Sequence, residues 1–146
     1  MAKVGVYRIG FASQAEVDDS WSVQQQQQPV VKGQPTQNEL LTVKWFSSFD
    51  QKQASLTEKL VDDENGQCFE ATLNFTVRKD SDIALAKKWM KRPVKMYVDA
   101  VDRTMYTMGT KQYPVWMQTS NTYEGIDTRE INIEVVYRTL NGIMNK

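Results

Sequence analysis

The residue types that most enzymes use for acid–base chemistry and metal binding are almost missing from this 146-residue chain. It contains no histidine and one cysteine, Cys68, which removes the commonest general base and the commonest metal ligand together. A reactive thiolate at Cys68 is not expected because no histidine can activate it, and a structural cysteine is the better interpretation. No glycine-rich phosphate loop or nucleophile elbow occurs either. We therefore predict no catalytic residues, no cofactor and no metal.

Two groups of carboxylates are the remaining candidates for chemistry. The acidic run 62–66 could suggest calcium, but an EF-hand loop with its glycine at Gly66 would put Val61 where the first oxygen ligand belongs. The Asn-Gly pair that closes this run is instead a strong hairpin signal. Asp99 and Asp102 could act as paired carboxylates, yet their sequence context is that of a turn, where aspartate bonds to the backbone. Both groups are predicted to be structural.

A basic segment carries the sharper functional hypothesis. Lys87, Lys88, Lys91 and Arg92 lie close together in sequence, and four aromatic residues are near them: Trp89, Tyr97, Tyr106 and Trp116. Cations interleaved with aromatic rings are what a single-stranded nucleic-acid groove requires. Two alternatives stay open, namely a solvated surface or a positive wall facing DNA that passes by. Trp89 argues against the groove because it falls on the apolar stripe of a predicted helix.

Charge is also divided unevenly along the chain. Residues 1–77 carry 6 basic and 10 acidic side chains, a balance of −4, and residues 78–146 carry 12 and 8, a balance of +4. The net charge of the whole chain is zero, unlike that of most dedicated nucleic-acid binders. Such polarity would let one face of a subunit attract the opposite face of another. Chance segregation over a solvated surface is the alternative.

The elements that position these residues are read from hydrophobic periodicity. Residues 68–77 alternate apolar and polar side chains, which predicts a half-buried strand. Apolar residues at three- and four-residue spacing over 81–92 predict a short amphipathic helix that ends at Pro93. Residues 94–98 and 105–108 then predict two further strands. This stretch is the expected framework of the fold.

Further strands are predicted at 4–11, 41–45, 55–61 and 131–137, and residues 113–117 are expected to be extended. The glycines within the first of these strands indicate a bulge or a close backbone approach. Seven or eight mostly antiparallel strands and one helix predict a single mainly β domain over residues 1–146. We expect a β-sandwich or barrel with one short flanking α-helix.

A long irregular segment interrupts the pattern near the N-terminus. Residues 12–38 show no sustained periodicity, and a loop of this length is usually functional or disordered. Its glutamine run follows one aromatic residue, and the candidate subunit-interface residues are Trp21, Gln24, Gln25, Gln26, Gln27, Gln28 and Pro29. We interpret the segment as an extended arm that orders against a neighbouring chain, with a disordered tether as the alternative.

Two features that the sequence lacks indicate the cellular compartment of the protein. No signal peptide and no long apolar run is present, which predicts a soluble protein with no membrane partner. A single cysteine cannot form an internal disulfide, as is usual in a reducing compartment.

The order of elements from residue 40 onward resembles small virion proteins encoded among the tail and head-tail joining genes of tailed bacteriophages. The resemblance rests on the Asn-Gly hairpin, Leu73-Asn-Phe-Thr-Val77, the helix ending at Arg92-Pro93, Met105-Tyr-Thr-Met-Gly109-Thr and Glu130-Ile-Asn-Ile-Glu-Val135. At the level of architecture the chain also resembles the tail-tube family, in which a β-sandwich or barrel with one helix and a long loop closes into a ring.

The resemblance implies a non-enzymatic structural subunit of the tail or head-tail junction. Its expected partners are further copies in a ring or stacked rings, other virion proteins, and DNA passing through the lumen. The expected location is the virion, and the host cytoplasm during assembly. A small β-barrel that binds single-stranded nucleic acid is the alternative.

Overall fold

The computed structural model describes residues 2–15, 40–50, 54–64, 66–110, 113–119, 130–140 and 142–143. Within these ranges the chain is mainly antiparallel β, with a curled half-barrel sheet and a single short α-helix. The elements are β1 (Ala2–Ser13), β2 (Lys44–Trp45), β3 (Ser55–Asp63), β4 (Gly66–Val77), α1 (Asp80–Trp89), β5 (Val94–Ala100), β6 (Met105–Met108), β7 (Gln118–Thr119) and β8 (Ile131–Thr139). The predicted mainly β fold with one short helix is confirmed, whereas most of the predicted arm at 12–38 lies outside the described residues.

Strand β1 is the reason that the sheet curls. The strands follow the order β6-β5-β1-β3-β4-β8-β7, with β2 beside the second half of β1. The first half of β1 pairs with β3 up to Gly5, and the second half pairs with β5. A register shift between Val6 and Arg8 marks a bulge where the strand changes partner. Bulged strands of this kind bend one half of a sheet away from the other.

The core fills the concave side of the curl. In β4, Leu73, Phe75 and Val77 are fully buried, as the predicted alternation requires. Ile133 and Val135 of β8 face the same way, and so do the buried apolar residues of β1 and β5. These strands are adjacent in the sheet, and their inward faces therefore make one continuous apolar cluster.

Helix α1 packs against this core through the predicted stripe. Ile83 and Ala86 are buried, and the Trp89 ring meets Phe11 edge-on with 5.8 Å between ring centroids. Asp82 in the first turn is only 3% exposed. Its carboxylate accepts hydrogen bonds from the backbone N–H groups of Ser47 at 2.9 Å and Ser48 at 3.1 Å. The carboxylate thereby ties the start of the helix to the segment that follows β2.

Gly10 confirms the expected close backbone approach in the first strand. A Cβ at this position would lie 2.6 Å from side-chain atoms of both Val43 and Trp45. These two residues pack with Leu40 over Tyr97 on the outer face of the sheet. The absence of a side chain at Gly10 allows that small second cluster to form.

Several element boundaries differ from those expected. Strand β1 continues through Ser13, two residues beyond the predicted end of that strand at 11. The predicted strand 41–45 is wrong in its first part, because only Lys44 and Trp45 pair while the residues before them make a turn over the outer cluster. The interface candidates Trp21, Gln24, Gln25, Gln26, Gln27, Gln28 and Pro29 lie outside the described residues.

Candidate functional site

The predicted basic residues gather at one end of the sheet. Lys87 and Lys88 lie in the last turn of α1, Lys91 and Arg92 follow in the turn before β5, and all four are exposed. The backbone of Lys91 has φ of 64°, a left-handed conformation that is unusual for a residue with a side chain. The helix has already ended at Met90, whose ψ is 135°, and Lys91 completes a turn in which the Arg92 N–H donates to the Trp89 carbonyl at 3.2 Å.

One exposed aromatic residue, Trp116, lies in a segment that bonds to this turn. Val115 pairs with Val94 in an isolated bridge, and the backbone N–H of Lys91 donates to the Met117 carbonyl at 3.2 Å. Trp116, between these two contacts, is 47% exposed. We name this surface the basic end, composed of Lys87, Lys88, Lys91, Arg92 and Trp116.

Three of the four aromatics singled out in the sequence are engaged elsewhere. Trp89 faces the core, with the Arg92 guanidinium carbon 5.6 Å and the Lys44 ammonium 4.9 Å from its ring centroid. Tyr97 is fully buried beneath the outer cluster. Tyr106 donates a hydrogen bond to Asp102 at 2.8 Å. Trp116 alone of the four is exposed enough to stack on a flat ligand.

The Tyr106–Asp102 hydrogen bond also shifts the pKa values of both side chains. Partial burial raises the pKa of Tyr106, and the hydrogen bond to Asp102 adds to that rise. The same bond, followed by one from the Thr104 backbone, lowers the pKa of Asp102. Asp102 therefore has the predicted turn role, since Thr104 N–H donates to its carboxylate at 3.0 Å.

Asp99 does not share that turn role, and the prediction for it is wrong. It lies within β5, where its carboxylate pairs with the Arg8 guanidinium at 2.6 Å. The same guanidinium stacks on Trp45, 3.8 Å from the ring centroid. The contact joins positions 91 residues apart in sequence, and a local pattern of turn residues could not show it. The ion pair anchors the outer cluster and leaves no paired carboxylates for catalysis at Asp99 and Asp102.

The β3–β4 hairpin forms the opposite end of the molecule. Strand pairing continues to Asp63 and Gly66, which confirms the predicted hairpin. Asp62 and Glu64 are exposed there, and Leu60, two residues before Asp62 in β3, is 55% exposed. Leu140 is 80% exposed beside the end of β8, at the level where β8 meets β4. We name these residues, Leu60, Asp62, Glu64 and Leu140, the acidic end.

Strand β1 separates the two ends. Its first residue, Ala2, pairs with Glu58 on the way to the hairpin, and its last, Ser13, pairs with Val94 next to the basic turn. Twelve residues at about 3.3 Å each give this strand a contour of roughly 40 Å. The hairpin with Asp62 and Glu64 and the turn with Lys91 and Arg92 therefore lie at opposite ends of one strand.

No known protein family matches this chain, and no curated protein or solved structure matches it. Among the described residues, no group of three or more Cys, Asp or Glu side chains is placed to hold a metal ion. No helix in the described ranges combines the length and apolar character needed to cross a membrane. Any function must therefore be argued from the two ends and from the sheet itself.

Proposed function

We propose that the protein is a structural subunit of a phage tail or head-tail junction that assembles into rings or stacked rings. The observation that carries the proposal is the half-barrel form of the sheet. A curled sheet that stops short of closure leaves two edges, one at β6 and one at β8, where the terminal strand β7 covers only two residues. Exposed edges of this kind pair readily with another strand.

The edges are open over most of their length in the described part of the chain. Strand β6 pairs only with β5, and the two residues of β7 cover only Ile133 and Glu134 of β8. Residues 135–139 of β8 have no partner strand on that side among the described residues. Pairing of the β6 edge of one copy with the β8 edge of the next is a heterologous contact, which generates a ring when its rotation closes.

A lysine placed on the β6 edge tests this assembly. Thr107 in β6 is half-buried and lies opposite Tyr97 of β5. We expect Thr107→Lys to reduce ring formation because a charged edge disfavours strand addition. Negative-stain microscopy and sedimentation, with the protein alone and mixed with the products of neighbouring genes, measure the effect.

The matched control is Thr72→Lys, which puts the same side chain on the half-buried outer side of β4, between β3 and β8. It should leave rings intact, provided that both variants show unfolding transitions close to that of the wild type. Wild-type protein that stays monomeric at high concentration, even with its neighbouring gene products, would contradict the proposal.

Binding of single-stranded nucleic acid is the second candidate, and the exposed ring of Trp116 beside Lys91 and Arg92 favours it. Charge there would follow the phosphate backbone, and the ring would stack on a base. Salt-sensitive oligonucleotide binding that is lost when the charges of Lys87, Lys88 and Lys91 are removed would support this candidate over the first.

A further inference from the structure

The two ends of the molecule match each other in charge. The basic end presents four exposed cations on α1 and the turn after it. The acidic end presents Asp62 and Glu64 at the tip of the hairpin. Behind that tip, Lys59 and Arg138 both pair with Glu70, at 3.8 Å and 2.9 Å. The negative charge of this end therefore lies at the tip of the hairpin, in Asp62 and Glu64.

The two ends also match in apolar character. Leu60 and Leu140 are more than half exposed at the acidic end, and Trp116 is exposed at the basic end. Exposed apolar side chains surrounded by charge are typical of a protein interface, where the apolar centre excludes water and the charged rim sets orientation. Each end by itself is a plausible half of such a contact.

We propose that the acidic end of one copy docks on the basic end of the next copy. This inference rests on the proposed function, because it assigns the contact between successive copies along a stack. The two surfaces differ and lie at opposite ends of β1. The contact therefore repeats head to tail without closing on itself. Opposite charges steer the approach and reject the reversed orientation, in which like ends would meet.

A second copy accounts for both ends, whereas nucleic acid accounts for one. A polyanion would use the cations and the exposed ring of the basic end. The acidic hairpin and its two leucines would then have no role, and the hairpin would repel the same backbone. Charge complementarity thus favours another copy of this chain as the occupant.

Changing the charge at each end separately provides the test. Asp62→Lys with Glu64→Lys makes both ends positive, and Lys91→Glu with Arg92→Glu brings the summed charge of the four basic-end positions to zero, because Lys87 and Lys88 remain. Each double variant alone should lose at least about tenfold in end-to-end association. An equimolar mixture of the two should recover it between unlike copies, because the unchanged basic end of the first variant can meet the unchanged acidic end of the second. Recovery in the mixture also shows that both variants are folded.

Sedimentation velocity and negative-stain microscopy at about 10 mM salt provide the readout, since screening is weak there. The matched control, Lys79→Glu with Arg103→Glu, makes the same charge change at two exposed residues outside both ends. It should associate like the wild type. An oligonucleotide titration of each variant accompanies these measurements.

Several results would overturn the inference. These are end-to-end association that persists in either reversed variant, a mixture that does not recover it, or wild-type protein that shows none up to about 1 mM. Oligonucleotide binding that Lys91→Glu with Arg92→Glu abolishes, while self-association is unchanged, would assign the basic end to nucleic acid. Rings that form but do not stack through these ends would reject this inference and leave the proposed function standing. Head-to-tail chains that form without rings would support this inference and reject the proposed ring assembly.

Discussion

At the scale of single residues, the basic end depends on one unusual backbone conformation. Lys91 adopts a left-handed φ of 64° where α1 ends, and its N–H reaches across to the Met117 carbonyl. That pair of features aligns the turn with the segment carrying Trp116. A lysine at this position costs stability, because its Cβ is crowded in the left-handed region.

Lys91→Gly should therefore stabilise the fold while removing one charge from the basic end. Glycine relieves about 1 kcal/mol of left-handed strain and loses part of that gain to its greater entropy when unfolded. We expect a net increase of roughly 0.5 kcal/mol in the free energy of unfolding, measured by urea denaturation.

The matched change is Lys87→Gly, which removes the same charge one turn earlier. It should lower the free energy of unfolding by about 0.5–1 kcal/mol because glycine weakens a helix. Equal effects from both substitutions would show that the backbone conformation at Lys91 carries no strain.

At the scale of elements, α1 is held by a buried carboxylate as well as by its apolar stripe. Asp82 accepts bonds from two backbone N–H groups and from the Ser47 hydroxyl, whose Oγ lies 2.9 Å from Oδ2. Without Asp82 the exposed serines would bond only to water, and the start of the helix would lose its tie to the 46–50 segment. Sequence reasoning placed this residue in the helix and missed its role, because the donors lie 34 and 35 positions away.

Asp82→Ala should lower the free energy of unfolding by about 2 kcal/mol, since it removes the buried acceptor of three hydrogen bonds. Asp80→Ala is the control, because Asp80 lies in the same first turn but is exposed. Its loss should cost only about 0.3–1 kcal/mol through the helix dipole. Chemical denaturation of both variants measures the difference, and similar losses would exclude a special role for the serine contacts.

At the scale of the whole molecule, two kinds of contact are proposed, and salt should separate them. Sheet-edge pairing uses backbone hydrogen bonds, whereas the contact between the acidic and basic ends is electrostatic and exposed. Raising salt from about 10 mM to about 500 mM should therefore shorten stacks while rings persist. Microscopy of one sample at both salt concentrations checks this, and rings that dissociate before stacks would contradict the assignment.

The sequence by itself determined the fold class of this protein and its local secondary-structure elements. The strand at 68–77, the helix ending before Pro93 and the 62–66 hairpin follow from periodicity and turn residues that act over a few positions. Composition likewise excludes the commonest catalytic and metal-binding arrangements, because the chain contains no histidine.

Only the tertiary structure decided which of these elements meet. The pairing of Arg8 with Asp99, the approach of Trp116 to Lys91 and the two open edges of the sheet all depend on strand order and on the bend in β1. Such contacts join residues that are distant in sequence, and the hydrophobic pattern of a strand specifies its inward face but not its neighbour. Local patterns therefore revealed charge of opposite sign in the two halves of the chain, whereas the fold placed an acidic tip and a basic turn at opposite ends of one strand.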